Sequence, residues 1–443
     1  MKSETIKKIK VMKKGIVILM AMASISAHAQ KQWTLKDCID YAMKNNITLK
    51  QAVLKKESAT EDRKQSEAAL LPSLTATTNQ SLGYSPWMEG VNVKKGSYSG
   101  TYGINAQWTV WNGGQNRNTV KSNELAEQQA ELSAQETANS IQERIAQLYV
   151  QILYMNEAIE VNRQSLEASK KNEERGRTML EVGKMSKADL AQLTAQRATD
   201  EYNLVAAQSN LANYKLQLKQ LLEITDPSFD IAMPTTNDEQ ALAAIPAMQS
   251  VYEQALLTRP EVKSQELAIT KSDIAIKSAK AGYLPTVNLT GGVGTSTSSR
   301  SDNGWGNQMK TNFDATVGVG VSIPLIDGRK NKTSVNKARI QREQALLSQQ
   351  DVRKELYTTI EGFWLDAQSN QQKFRAAQVS VESEQQSYDL LSEQFQLGLK
   401  NIVELMNGKT NLLQAQQNKL QSKYTTILNI QLLKFYQGED IEL

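Results

Sequence analysis

Two short stretches hold side chains whose types and spacing could do chemistry: EVGKMSKADLAQL, residues 181–193, and QLGLKNIVELMNG, residues 396–408. In each, a glycine (Gly183, Gly398) is followed three residues later by a small polar residue (Ser186, Asn401) and six residues later by a carboxylate (Asp189, Glu404). Leu190 and Leu405 come next, so the stretches match at an offset of 215 residues, about half of the 443-residue chain. A carboxylate in the first turn of a helix is favoured by the helix dipole, so both acids read first as helix caps.

Little else in the chain is reactive. The only histidine is His28 and the only cysteine is Cys38. His28 falls within residues 1–29, which read as a leader that is removed, so the mature chain is expected to have no imidazole, and Ser/His/Asp and Cys/His machinery and His-ligated metals are excluded. Gly291-Gly292-Val293-Gly294 lacks the lysine and helix that a phosphate loop needs. No carboxylates converge by spacing, so the chain is expected to be no enzyme, with no catalytic residue, no metal site and no cofactor.

Residues 1–29 read as a secretory signal peptide: six lysines, an apolar run from Gly15 to Ile25, then Ala27-His28-Ala29 as a cleavage pattern. That leader holds six of the 51 basic residues and one of the 47 acidic ones. The remainder has 45 against 46, a net charge of −1, which leaves no footprint for nucleic acid.

The elements that must position the two carboxylates repeat as well. LLPSL (70–74) answers YLPTV (283–287), VWNGGQN (110–116) answers LIDGRKN (325–331), and Leu148-Tyr149 answers Phe363-Trp364. The pattern predicts a first repeat over 30–222, a connector over 223–247 and a second repeat over 248–443. Within them it predicts helices over 35–70 and 248–282, β-hairpins over 73–111 and 286–326, long helices over 114–182 and 329–397, and return helices over 186–222 and 401–436. Proline ends the leading helices at Pro72 and Pro285. From Gln115 to Val182 there are 68 residues with one glycine, Gly176, and no proline, about 100 Å of helix. Ile141, Ile145, Leu148, Ile152, Met155 and Ile159 step by coiled-coil spacing, as do Val352, Leu356, Ile360, Phe363 and Ala367. Gly183 and Gly398 then lie where each long helix must reverse, because glycine accepts the left-handed backbone of a helix end.

The strand regions alternate with period two. Tyr98, Gly100, Tyr102, Ile104, Ala106, Trp108 and Val110 share a face, and Phe313, Ala315, Val317, Val319, Val321, Ile323 and Leu325 share another. Tips at 87–96 and 299–310 are polar. Tyr84, Trp87, Tyr98, Trp108, Trp111, Tyr283, Trp305 and Phe313 cluster at strand ends, as in the aromatic girdles of a membrane barrel. Four strands cannot close a barrel, for which about eight is the minimum. Chains must therefore associate, and two, three or four copies would all close one.

With these features the chain resembles the TolC-like outer-membrane efflux family over its whole mature length. The resemblance rests on the duplicated halves, the proline-ended helices leading into hairpins, and the repeated G-x-x-[ST/N]-x-x-[DE]-L reversal. It implies an α+β membrane protein of long antiparallel coiled-coil helices plus four β-strands per chain. Three copies would form a 12-stranded outer-membrane barrel continued by a periplasmic α-helical tunnel. It further implies a passive exit duct in a tripartite efflux or type I secretion system, with a periplasmic adaptor (membrane fusion) protein, an inner-membrane pump and outer-membrane lipid as partners. Carried onto this sequence, adaptor docking falls on Val182, Gly183, Lys184, Ser186, Leu397, Gly398, Leu399 and Asn401. The gate falls on Asp189, Phe395 and Lys400, with Glu404 on a cation-attracting ring and the neutral Asn407 where a second acid is familiar. Phe395 and Lys400 stand where Tyr and Arg are usual, which removes a hydroxyl and a bidentate contact. A barrel-anchored trimeric adhesive coiled coil without transport is the competing reading, but a stalk needs no returning helices.

Overall fold

The computed structural model describes residues 32–90, 95–234 and 237–443; the leader expected over 1–29 lies outside them. The chain divides into two compact units. One comprises residues up to Leu49, Ala138–Ala255 and Tyr357–Leu443; the other comprises Lys50–Thr137 and Leu256–Leu356. Each repeat therefore supplies a helical hairpin to the first unit and a strand hairpin to the second.

In the first unit, β1 (Gln32–Trp33) leads through a Thr34 capping box into α1 (Leu35–Asn45). The leading helix expected over 35–70 is two helices, because Asn46 is extended (φ −58°, ψ 128°) before α2 (Ile47–Ala68). Its side chain explains the break: the carbonyl accepts from Leu49 N at 3.1 Å, and the amide donates to Leu221 O at 2.9 Å. Asn46 thus caps the start of α2 and the end of a distant helix at once. The helix expected over 248–282 is likewise α6 (Met248–Thr258) and α7 (Pro260–Ala281), since proline at the first helical position holds Arg259 extended.

The long helices are α3 (Gln115–Glu181) and α9 (Lys330–Gln396), and the return helices are α4 (Lys187–Leu221) and α10 (Ile402–Gln437). Ile141, Ile145, Leu148 and Ile152 are buried on α3, and Leu356, Ile360, Ala367 and Phe374 on α9. The connector carries β4 (Asp230–Ile231), parallel to β1, and α5 (Asp238–Ala241). Lys419 grips Asp238 at 3.0 Å, and Ala241 packs with Phe374 and Ile427.

Just past each reversal the long and return helices approach over a glycine. A Cβ on Gly176 of α3 would lie 2.5 Å from Leu193 Cδ1 of α4, and one on Gly408 of α10 would lie 2.6 Å from Leu391 Cδ1 of α9. Positions 176 and 391 are equivalent in the repeat, as are 193 and 408. The two halves have exchanged which helix carries the glycine and which the leucine.

The second unit holds a four-stranded antiparallel sheet in the order β2 (Ser73–Tyr84), β3 (Gly96–Trp111), β5 (Thr286–Ser298), β6 (Asp314–Ser322). Register aligns Ala76, Ile104, Val293 and Ala315 in one row, and Trp108, Leu289 and Val319 in another. The period-two apolar pattern therefore merges into one face across all four strands, while Asn105, Gly292 and Thr316 lie on the other. A bulge between Thr109 and Trp111 pairs Trp111, not Val110, with Val287, which corrects the face expected for Val110. Among the described residues neither the outer edge of β2 nor that of β6 has a strand partner.

Gly176→Leu is expected to lower stability by about 1–3 kcal/mol through overpacking. The exchange Gly176→Leu/Leu193→Gly, which copies the arrangement of the other half, should recover most of it in thermal unfolding followed by circular dichroism.

Candidate functional site

Both reversals are built alike. At the first, Lys184 N donates to Met179 O at 2.8 Å and Gly183 N to Leu180 O at 3.0 Å; at the second, Leu399 N donates to Gln394 O at 2.9 Å and Gly398 N to Phe395 O at 3.0 Å. These are paired six-to-one and five-to-two closures around a left-handed glycine, with φ of +74° at Gly183 and +73° at Gly398. Nothing lies within 4 Å of where a Cβ would sit on either glycine, so both present bare backbone. Val182, Leu397 and Leu399 beside them are exposed, at 64%, 68% and 71%. Lys184, Ser186 and Asn401 are exposed as well.

The two carboxylates are caps. Ser186 Oγ accepts from Asp189 N at 3.0 Å and donates to Asp189 Oδ2 at 2.8 Å. Asn401 Oδ1 accepts from Glu404 N at 2.9 Å, and Glu404 Oε2 accepts from Asn401 N at 3.3 Å, a complete capping box. Lys400 Nζ also reaches Glu404 Oε1 at 2.7 Å. Lys400, with the Asn401 N–H second, holds the Glu404 carboxyl below the usual carboxylate range. Within the chain Lys400 is thus paired with Glu404, whereas Asp189 bonds Ser186. Each Glu404 carboxylate thus carries a lysine of its own chain as counter-charge. Asn407 is exposed and uncharged.

Phe395, expected at the gate, is buried. It packs with Leu193, Ile402 and Leu405, flanked by Met179, Met185 and Tyr388. Its ring joins both reversals into one apolar cluster, so it supports the tip instead of lining it.

Sequence reasoning missed a buried polar bridge behind that cluster. Lys409 Nζ of α10 donates to Asp200 Oδ2 of α4 and to Ser169 Oγ of α3, and Ser169 also donates to Asp200. The Lys409 and Asp200 side chains are 7% and 1% exposed. Burial pushes the Lys409 ammonium down, and Asp200 opposes that. Nearby, buried Glu173 takes Arg177 and Arg197, both at 2.8 Å. Positions equivalent to 169, 200 and 409 in the other half are Glu384, Ala415 and Thr194. The bridge therefore exists once and left no repeat to find.

In the sheet unit, Tyr84, Trp87, Tyr98, Trp305 and Phe313 lie toward the hairpin loops, and Trp108, Trp111 and Tyr283 toward the helices. Trp108 Nε1 donates to Leu70 O at 2.7 Å, and Trp87 is 91% exposed. The polar tip over 299–310 contains α8 (Trp305–Thr311), folded back on the sheet.

A family model described as outer membrane efflux protein matches residues 38–223 and 251–438. The outer membrane efflux protein BepC of Brucella suis biovar 1 (strain 1330) is 22% identical over 411 residues, covering 93% of this chain and 86% of that protein. The outer membrane protein TolC of Salmonella enteritidis is 22% identical over 437 residues, covering 96% and 85%. Among solved structures, the fold is similar to that of CusC, with a TM-score of 0.79 at 19% identity and 91% of each chain covered.

Lys409→Met leaves Asp200 buried without its counter-charge and is expected to cost about 3–5 kcal/mol, whereas Lys409→Met/Asp200→Leu should be near neutral. Chemical denaturation of the three proteins measures the difference.

Proposed function

The chain belongs to the outer membrane efflux protein family, and from that premise we propose that it is the exit duct of an efflux or secretion system, conducting substrates passively out of the cell. It is an outer-membrane protein. The observation that carries the reading is the sheet: one face apolar, one polar, and no strand partner at either edge among the described residues. In lipid, each unpaired backbone group costs several kcal/mol, so such a sheet requires neighbours to close it. Three copies would give twelve strands, with the polar face around the lumen and the apolar face toward lipid.

The long and return helices of the three copies would form a tunnel in the periplasm. The two reversals are the docking points for a periplasmic adaptor that links the duct to an inner-membrane pump. Bare backbone at Gly183 and Gly398 beside exposed Val182, Leu397 and Leu399 supports this, because it offers close approach together with apolar contact. Lys184, Ser186 and Asn401 complete the rim. The gate consists of Asp189, Lys400, Glu404 and Asn407, with Phe395 behind it. The gate reading sets Lys400, which holds Glu404 at 2.7 Å within the chain, against Asp189.

Gly183→Val or Gly398→Val is expected to abolish export while leaving the amount of outer-membrane oligomer unchanged; wild-type export would remove the docking assignment. Lys400→Gln frees the Glu404 carboxylate and should raise cation over anion preference, read as a shifted reversal potential across planar bilayers in a salt gradient. An unshifted potential would take Glu404 off the conduction path.

A further inference from the structure

The apolar face of the sheet does not run its full height. In register, the rows through Ile104 and Ala106 carry only apolar residues or glycine on all four strands, and those through Trp108 and Trp111 are apolar on β3, β5 and β6, the three strands that reach them. The two rows nearer the loops are not: one joins Gln80, Gly100 and Thr297, the next Thr78, Tyr102 and Thr295. Hydroxyls and an amide at that height are poorly suited to hydrocarbon.

Helix α8 covers these polar rows. Thr295 Oγ1 donates to Met309 O at 3.0 Å, and Trp305 stacks edge-on against Tyr102 with ring centroids 6.5 Å apart. Gln308, itself buried, accepts from Ser298 N at 2.7 Å and donates to Ser298 O at 3.1 Å. Thr297 is 3% exposed. Since Tyr102, Thr295 and Thr297 share the apolar side, α8 lies on that side and not on the polar one.

We propose that α8 is an interfacial anchor packed outside the barrel at the outer headgroup level, with the exposed faces of Trp305 and Lys310 against lipid, and is no plug of the lumen. The inference rests on the duct reading. Its height is consistent: the apolar rows run from Ile104 to Trp111, seven residues or about 24 Å along a strand and about 18 Å once tilted by about 40°, and the rows that α8 covers lie directly above them. An aromatic ring and a lysine just above such a band suit the boundary between tails and headgroups. The lipid, not a protein, is the partner because the surface is continuous with the apolar face below it.

The test uses protein reconstituted in phosphatidylcholine vesicles brominated either near the headgroup or near the chain end. Two proteins each keep a single tryptophan, Trp305 or Trp111, with the others changed to Phe. Shallow bromines should remove most Trp305 emission, deep ones little, and aqueous iodide little. Quenching of Trp305 by iodide but not by bromolipid, with Trp111 still quenched by bromolipid, overturns the anchor and leaves the duct standing. Loss of bromolipid quenching at both sites overturns the duct reading itself. Should the multiple replacements fail to fold, native protein compared with Trp305→Phe gives the same signal as a difference, and a difference insensitive to bromolipid is equally adverse.

Discussion

An antiparallel sheet with two open edges cannot stand in lipid, and most of this molecule follows from that constraint. β2 and β6 each leave a row of backbone donors and acceptors with no strand partner among the described residues. Water satisfies such a row at little cost, hydrocarbon does not, and a side chain cannot repair it along a whole strand. In lipid, such a sheet calls for a neighbour along each edge. The two faces then sort by solvent: Val317, Val319 and Val321 to one side, Asp314 and Thr316 to the other.

The helical unit meets a different requirement. Two reversals must be tight, solvent-facing and stable without large side chains. Each does so with one left-handed glycine and one capped first turn, which together satisfy the orphan backbone groups of both helix ends. The carboxylates are committed to that task, and Lys400 neutralises one of them. What holds the reversals together lies behind them: the cluster around Phe395, and the Lys409–Asp200–Ser169 bridge. The bridge binds one half of the repeat to the other and has no counterpart by pseudo-symmetry, so duplication preserved the turns and let the packing between them diverge. The glycine and leucine exchanged between Gly176–Leu193 and Leu391–Gly408 show the same divergence: total volume at the crossing is kept while its owner changes.

Local periodicity carried the sequence reading a long way. Strand alternation, the stripe of Ile141, Ile145, Leu148 and Ile152, and the glycine-to-carboxylate spacing all reflect interactions within a few residues, and composition exposes those directly. It misled where a single residue answered to something distant. Asn46 breaks a helix because Leu221 O, 175 residues away, needs its amide. The bulge before Trp111 shifts a face by one residue. Trp305 sits among polar loop residues in the sequence yet folds onto Tyr102.

By itself, then, the sequence determined the duplication, the order of helices and strands, the two reversals and their caps, and the alternation of apolar and polar residues along the strands. These depend on near-neighbour geometry. Only the tertiary structure decided that Phe395 is buried, that Lys409 and Asp200 meet, and that α8 covers the polar end of an apolar face. Each is a contact between residues with no common periodicity, fixed by close packing across helices or by folding back of a loop, and such contacts leave no trace in local pattern.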